Sequence, residues 1–218
     1  MKNYLEYNNK IMLKKDGFFS LEFDKEAVVL FEKEIDEKML KFDNYIDKIK
    51  FLITNNYYID FFSMYSENDI NSLKDTVYSY NFKFSSFMAI SKFYQSYALK
   101  TNDKEFYLER YEDRIIACAL ELGKGDLKKA KEYAVAMIEQ RYQPATPTFL
   151  NAGKKRRGEF VSCYLLEMDD SLNSINYVLG LCGQLSKIGG GVAVNVSKLR
   201  SRGEEIKGIK NASSGVMP

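Results

Sequence analysis

Apolar side chains in residues 20–140 return every three or four positions. Ala27, Leu30, Phe31, Ile35 and Leu40 form one stripe, Phe87, Ile90, Phe93 and Tyr94 a second, and Ile115, Cys118, Ala119 and Leu122 a third. That period belongs to an amphipathic helix with one buried face. It predicts helices over 24–41, 43–55, 67–80, 84–96, 109–122 and 126–140, the fifth ended by Gly123 and Gly125 and the sixth capped by Asp126. Near Arg141 the texture changes: residues 1–140 hold three of the 13 glycines and no proline, and the other ten glycines and all three prolines follow. After the Pro-punctuated stretch QPATPTFLNAG and a basic loop, FVSCYLLEM has the β-branched and aromatic content of a buried strand. A helix capped by Asp170 or Ser171 comes next, with Leu172, Ile175, Val178, Leu179, Cys182 and Leu185 on one face. Gly189–Gly191 stop it and lead into VAVNV, a second strand. Strand, helix and strand in this order predict a βαβ unit with parallel strands, so the fold class is α/β behind an all-helical region.

Composition narrows the chemistry. The 218 residues are 45% hydrophobic and 28% charged, which suits a folded chain rather than a disordered one. Lys plus Arg is 32 and Asp plus Glu is 30, too even a balance to imply nucleic acid or an anionic membrane as the main partner. KKRR at 154–157 has no interleaved aromatic platform and reads as a solvated basic loop. No apolar run reaches bilayer-spanning length and MKNYLEYNNK lacks a signal core, so a cytoplasmic protein is expected. With no histidine, the chain contains no Ser-His or Cys-His pair and no HExxH site. Cys118, Cys163 and Cys182 are too far apart for a CxxC knuckle, so no metal site is expected and a working cysteine must act as a thiol. A single βαβ unit also leaves a sheet open, and the sequence reads as the amino-terminal part of a larger architecture.

Particular runs carry a resemblance. RYQPATPTFLNAGKKRRGEFVSCYLLEMDDSLNSI, then QLSKIGGGVAVNVSKLRSRGEEIKGIKNASSGVMP, and upstream FKFSSFMAISKFYQSYALKTNDKEFYLERYEDR, closely resemble the large subunit of ribonucleotide reductase, in its class Ib form. The resemblance implies a short segment over 1–50 without a complete ATP cone, a helical domain over 51–140, and over 141–218 the first strands of a ten-stranded α/β barrel, incomplete in this chain. It implies reduction of ribonucleoside diphosphates at C2′ by radical chemistry, for deoxyribonucleotide supply. The partners would be the remaining part of the large subunit, a radical-generating small subunit holding manganese or iron, a glutaredoxin- or thioredoxin-like reductant, and a second copy in a homodimer. The chain by itself is expected to be inactive, and a non-catalytic nucleotide-binding or dimerisation remnant is the alternative reading.

Residue by residue, the resemblance makes Cys163 one half of a redox-active pair whose other half lies outside this chain. The plain alternative is a small apolar residue in a strand. Cys118 and Cys182 fall on helical apolar faces and are expected only to pack. Thr146, Ser162, Gly190 and Gly191 match substrate-binding positions, although Thr146 also suits a turn and the glycines a helix C-cap. Asp170, Ser171, Leu172 and Arg200 match a site for an ATP or deoxynucleoside triphosphate effector, with Ile206 and Lys207 in a loop over 197–209. As alternatives, Asp170 is an N-cap and Arg200 a solvated charge. A carboxylate accepts from a sugar hydroxyl, and a guanidinium offers forked donors to phosphate.

Overall fold

The computed structural model describes residues 3–11, 14–15, 18–19, 22–156 and 158–217. They fall into two compact units, Met1–Arg157 and Gly158–Pro218, with the division later in the chain than the compositional break at Arg141.

The first unit is helical: α1 (Asn3–Ile11), α2 (Glu22–Glu37), α3 (Tyr45–Thr54), α4 (Glu67–Tyr78), α5 (Phe87–Ser96), α6 (Tyr111–Gly123), α7 (Leu127–Ile138) and α8 (Thr146–Asn151). A small antiparallel ribbon, β1 (Lys14–Lys15) and β2 (Phe18–Phe19), lies between the first two helices. Local chemistry sets the helix starts. The side chains of Asn44, Ser66, Ser86 and Asp126 each accept a backbone N–H of the first turn of α3, α4, α5 and α7. Six helices match the periodic stripes. The short α8 replaces the expected turn in QPATPTFLNAG, because Pro147 stands in its first turn, where the missing N–H has no helical partner to lose.

Helix α6 is central and buried almost all round, packing against α4, α7 and α8. Leu52, Phe61, Ile70, Leu73, Ile90, Leu108, Ile115 and Leu120 fill the core about it. Cys118 is fully buried there, and burial pushes its thiol up to about 11, so it packs as an inert neutral group. A polar network crosses the same core. Arg114 Nη1 lies 2.8 Å from Glu109 Oε1, and both side chains are 0% exposed. The Tyr58 hydroxyl donates to Glu109 Oε1 at 2.5 Å, the Leu99 N–H to Oε2 at 2.8 Å, and Arg114 donates to the Ala152 carbonyl. Beside it, Asp113 accepts from Lys48 at 2.5 Å, from Tyr78 at 2.8 Å and from the Arg110 N–H at 2.7 Å. One expectation is corrected here: the basic run is not uniformly solvated. Lys154 is buried, held in an antiparallel bridge to Tyr58, while Lys155 and Arg156 are exposed; Arg157 lies outside the described residues.

The second unit holds β3 (Cys163–Glu167), α9 (Leu172–Lys187) and β4 (Gly191–Asn195). The strands are parallel, in a register that pairs Cys163 with Gly191, Leu165 with Ala193 and Glu167 with Asn195. Ser171, rather than Asp170, caps α9 by accepting the Ser174 N–H at 3.2 Å. At the other end the Gly189 N–H bonds to Ser186 O and the Gly190 N–H to Leu185 O, both at 3.0 Å, with Gly189 at φ +87°. This is the Schellman closure that a glycine after a helix favours.

Two details differ from the sequence reading. Strand β3 is not buried on both faces: Tyr164 and Leu166 are half-covered, but Cys163, Leu165 and Glu167 face outward, Leu165 at 85% exposure. Nor does the whole predicted stripe of α9 pack. Ile175, Val178, Cys182 and Leu185 are covered or half-covered, whereas Leu172 and Leu179 are exposed. At 100° per residue those two lie together on the rim of the stripe, outside the arc the strands can cover.

Candidate functional site

The second unit gathers predicted site residues at both ends of its parallel pair. At the amino end Cys163 is the first residue of β3, exposed and registered beside Gly191. The Gly191 N–H donates to Ser162 O at 2.6 Å, which continues the ladder one step upstream. Ser162, Cys163, Gly190 and Gly191 are therefore neighbours. Cys163 therefore stands at the amino end of the pair, not at the carboxyl end where open α/β sheets bind ligands.

The glycines have their own reasons. A Cβ on Gly190 would lie 2.6 Å from Tyr164 Cδ2 and 2.9 Å from Leu185 O, so the ring of Tyr164 lies where a side chain would be. Gly191, its N–H bound to Ser162 O, is exposed and registered beside Cys163, and as glycine it adds no side chain there. Cys182, by contrast, is half-covered on α9.

Thr146 belongs to the first unit, at the start of α8. Its hydroxyl lies 3.0 Å from that of Tyr97. It borders a largely apolar cavity of about 560 Å³ formed with Met88, Phe93, Tyr97, Tyr111 and Phe149.

At the carboxyl end charged groups converge. Arg200 Nε donates to Asp170 Oδ2 at 2.8 Å, with 35% of each side chain exposed, and its Nη1 donates to Glu205 O at 3.2 Å. Lys198 bridges Asp169 at 3.0 Å and Glu167 at 3.1 Å, and these hydrogen bonds hold its ammonium above the usual lysine range. Ile206 and Ile209 exchange both backbone hydrogen bonds across a two-residue turn formed by Lys207 (φ +50°) and Gly208 (φ +82°). Those paired positive angles are those of a type I′ hairpin, in which glycine carries the second position without strain. Through Glu205, Arg200 ties this turn to Asp170, and exposed Leu172 begins α9 beside them.

The sequence reading did not single out Lys198, Glu167 or Asp169. The signal was available, since Glu167 ends β3 and Lys198 lies three residues beyond β4, the edge at which parallel strands present side chains to ligands. Chemically, the Asp170–Arg200 pair sets an acceptor and a forked donor side by side. When the pair opens, the carboxylate can accept from a sugar hydroxyl and the guanidinium can donate its fork to phosphate. Among the described residues no cluster of His, Cys, Asp or Glu could hold a metal ion, and no helix is long and apolar enough to cross a membrane.

Three family models match in succession: a ribonucleotide reductase N-terminal model over residues 4–82, the all-alpha domain of ribonucleotide reductase over 83–157, and its barrel domain over 161–218. The ribonucleoside-diphosphate reductase subunit alpha of Bacillus subtilis is 53% identical over 216 residues, covering 98% of this chain and 31% of that protein. The subunit alpha of Mycoplasma genitalium is 42% identical, covering 100% of this chain and 30% of its own length. The NrdEB subunit alpha of Bacillus phage SPbeta is 52% identical, over 99% of this chain and 20% of its length. The chain thus spans about a third or less of the curated relatives it matches.

Proposed function

The chain belongs to the ribonucleotide reductase large-subunit family, and from that premise we propose that it supplies the helical region and the first barrel strands of a ribonucleoside-diphosphate reductase. The observation that carries this reading is the register of β3 on β4, which sets the exposed Cys163 thiol beside Gly191 within the segment matched by the barrel model. In this reading Cys163 is one of two thiols that reduce the ribose. The 2′-hydroxyl leaves as water, the two thiols give up two electrons and two protons, and a disulfide closes between Cys163 and a cysteine outside this chain. A small subunit supplies the radical, and a dithiol reductant reopens the disulfide. Ser162, Gly190 and Gly191 shape the approach of the sugar, with Thr146 a further substrate contact.

The carboxyl-end cluster is the effector site of the same proposal. Asp170 holds a ribose hydroxyl of a nucleoside triphosphate, Arg200 a phosphate, and Ser171, Leu172, Ile206 and Lys207 border it, with a second copy of the chain completing the site. Sites of this kind at the carboxyl edge of parallel strands follow the general rule for open α/β sheets.

The test is turnover in an assembled reductase that includes this chain. Cys163→Ser is expected to abolish multiple turnover, and Cys182→Ser to leave it within a fewfold of wild type. Turnover retained by Cys163→Ser but lost in a folded Cys182→Ser enzyme would reverse the assignment.

A further inference from the structure

We propose that three loops of the helical unit form a binding site for one small phosphate-type dianion, separate from the substrate and effector positions. The site is a cleft of about 140 Å³ where the loop after α3, the loop after α5 and the segment after α8 meet. Lys100, Lys154 and Arg156 line it together with the amides of Asn55, Asn56 and Asn102, and no carboxylate does.

Charge counting shows why an anion belongs there. Lys154 is 8% exposed, and among the described residues its ammonium donates to a neutral acceptor, the Tyr97 carbonyl, at 3.3 Å. The buried carboxylate that acts on it, Glu109, already pairs with Arg114 and accepts from Tyr58 and the Leu99 N–H. Among the described residues, none of Lys100, Lys154 and Arg156 forms an ion pair. A buried ammonium without a counter-ion is costly, so its presence points to a partner from solution. Burial pushes Lys154 down to about 8, the Glu109 charge opposing the fall and Arg114 adding to it, and burial also lowers Lys100, followed by the charges of Lys104 and Lys38. A bound dianion offsets both.

The cleft is also built in advance. Ile59 N–H donates to Gly153 O at 3.0 Å and Lys155 N–H to Tyr57 O at 2.9 Å, while the Tyr57 hydroxyl accepts the Asn102 N–H at 3.2 Å. One tyrosine thus pins all three loops, so little ordering remains for a ligand to bring about. Size selects the class. Pockets that enclose drug-sized molecules run to roughly 300 Å³ and more, so this cleft takes a tetrahedral oxyanion but not a nucleoside. Amides and cations on several sides suit orthophosphate or a terminal phosphate group.

The probe is inorganic phosphate, titrated at pH 7.5 into the 218-residue chain with ionic strength held by chloride, and followed by backbone amide resonances. Saturable shifts confined to 55–57, 100–102 and 154–156 are expected, with affinity at least tenfold weaker in Arg156→Ala and in Lys154→Met. Arg156 is exposed, so its variant tests binding with the fold intact. Shifts that fail to saturate, that spread over the surface lysines, or that are the same in Arg156→Ala overturn the proposal. A parallel titration with a nucleoside diphosphate identifies the source. Tighter binding through the same amides makes the anion a nucleotide phosphate, and equal or weaker binding makes it free phosphate.

Discussion

Arg114–Glu109 in the helical unit and Arg200–Asp170 in the strand unit are both arginine–carboxylate pairs at 2.8 Å, yet they stand in opposite surroundings. The first is wholly out of water, with both side chains 0% exposed, and Glu109 also accepts from Tyr58 and the Leu99 N–H. The second is 35% exposed on each side. Desolvation makes the buried pair expensive to break, because each ion left alone keeps its burial cost. Solvent screens the open pair, so little free energy is lost when it separates. The contrast extends to the units. In the first, Leu52, Ile70, Leu73 and Leu108 are fully buried, whereas in the second Leu165, Leu172, Tyr177 and Leu179 are exposed and Met168 and Val178 are the described apolar side chains that are buried. Within this chain the first unit covers most of its apolar residues and the second leaves most of its own uncovered.

The largest effect should come from breaking the buried pair. Arg114→Met leaves the Glu109 carboxylate buried with neutral donors only, and should cost about 3–5 kcal/mol in urea unfolding. The double variant Glu109→Gln/Arg114→Met removes both charges and should recover most of that loss. Equal destabilisation in single and double variants would mean that packing, not charge, is what Arg114 provides.

Second is a pH effect in the same unit. Lys154 is depressed from the usual 10.5 to about 8 by burial, so from pH 10.5 down to 8 the unfolded chain binds a proton that the folded chain refuses. Stability therefore rises with pH across that window, by roughly 3 kcal/mol in all, and the penalty is fully present below pH 8. Lys154→Met should lack this slope. Parallel urea midpoints at pH 7.5 and 10 for the two proteins measure it, and identical slopes would remove Lys154 as the cause.

How far these features were legible follows from the physics that produces them. The helices of the first unit were, because a buried face imposes a 3.6-residue period on the sequence, and 43–55, 67–80 and 126–140 became Tyr45–Thr54, Glu67–Tyr78 and Leu127–Ile138. The ribbon β1–β2 and helix α8 are too short to show a period. The burial of Lys154 was not legible, because a long-range bridge to Tyr58 creates it and nothing in KKRR distinguishes its first lysine. In the second unit the motif around Cys163 named the residues, but only the strand register puts Cys163 at the amino end and the charged cluster at the carboxyl end. Nothing in the apolar period marks Glu109 and Arg114; their burial comes with the packing of α6 on three neighbours.

Third comes a local effect in the strand unit. Gly190→Ala places a Cβ against the Tyr164 ring and the Leu185 carbonyl, the acceptor that closes α9. Accommodation requires the ring to move or the helix end to open, at about 1–3 kcal/mol. Because this unit has little buried apolar surface, the loss should appear as faster amide exchange in β4 and the end of α9. Exchange unchanged there would show that Tyr164 yields without cost.

The smallest effect on stability, and the one that sharpens the contrast most, belongs to the open pair. Arg200→Ala removes a solvated ion pair and one donor to the Glu205 carbonyl, so the unfolding free energy should fall by no more than about 1 kcal/mol. The same substitution removes the forked donor assigned to an effector phosphate. A deoxynucleoside triphosphate that binds the wild-type assembly should therefore bind at least tenfold more weakly, as should the Asp170→Asn variant, which keeps the shape but loses the anionic acceptor. Calorimetric titration of the three proteins at equal concentration decides it. Near-native stability with lost affinity places the pair in the binding site. Lost stability with retained affinity would make it a structural clasp on the Ile206–Ile209 turn, and the two arginine pairs of this molecule would then differ in exposure but not in role.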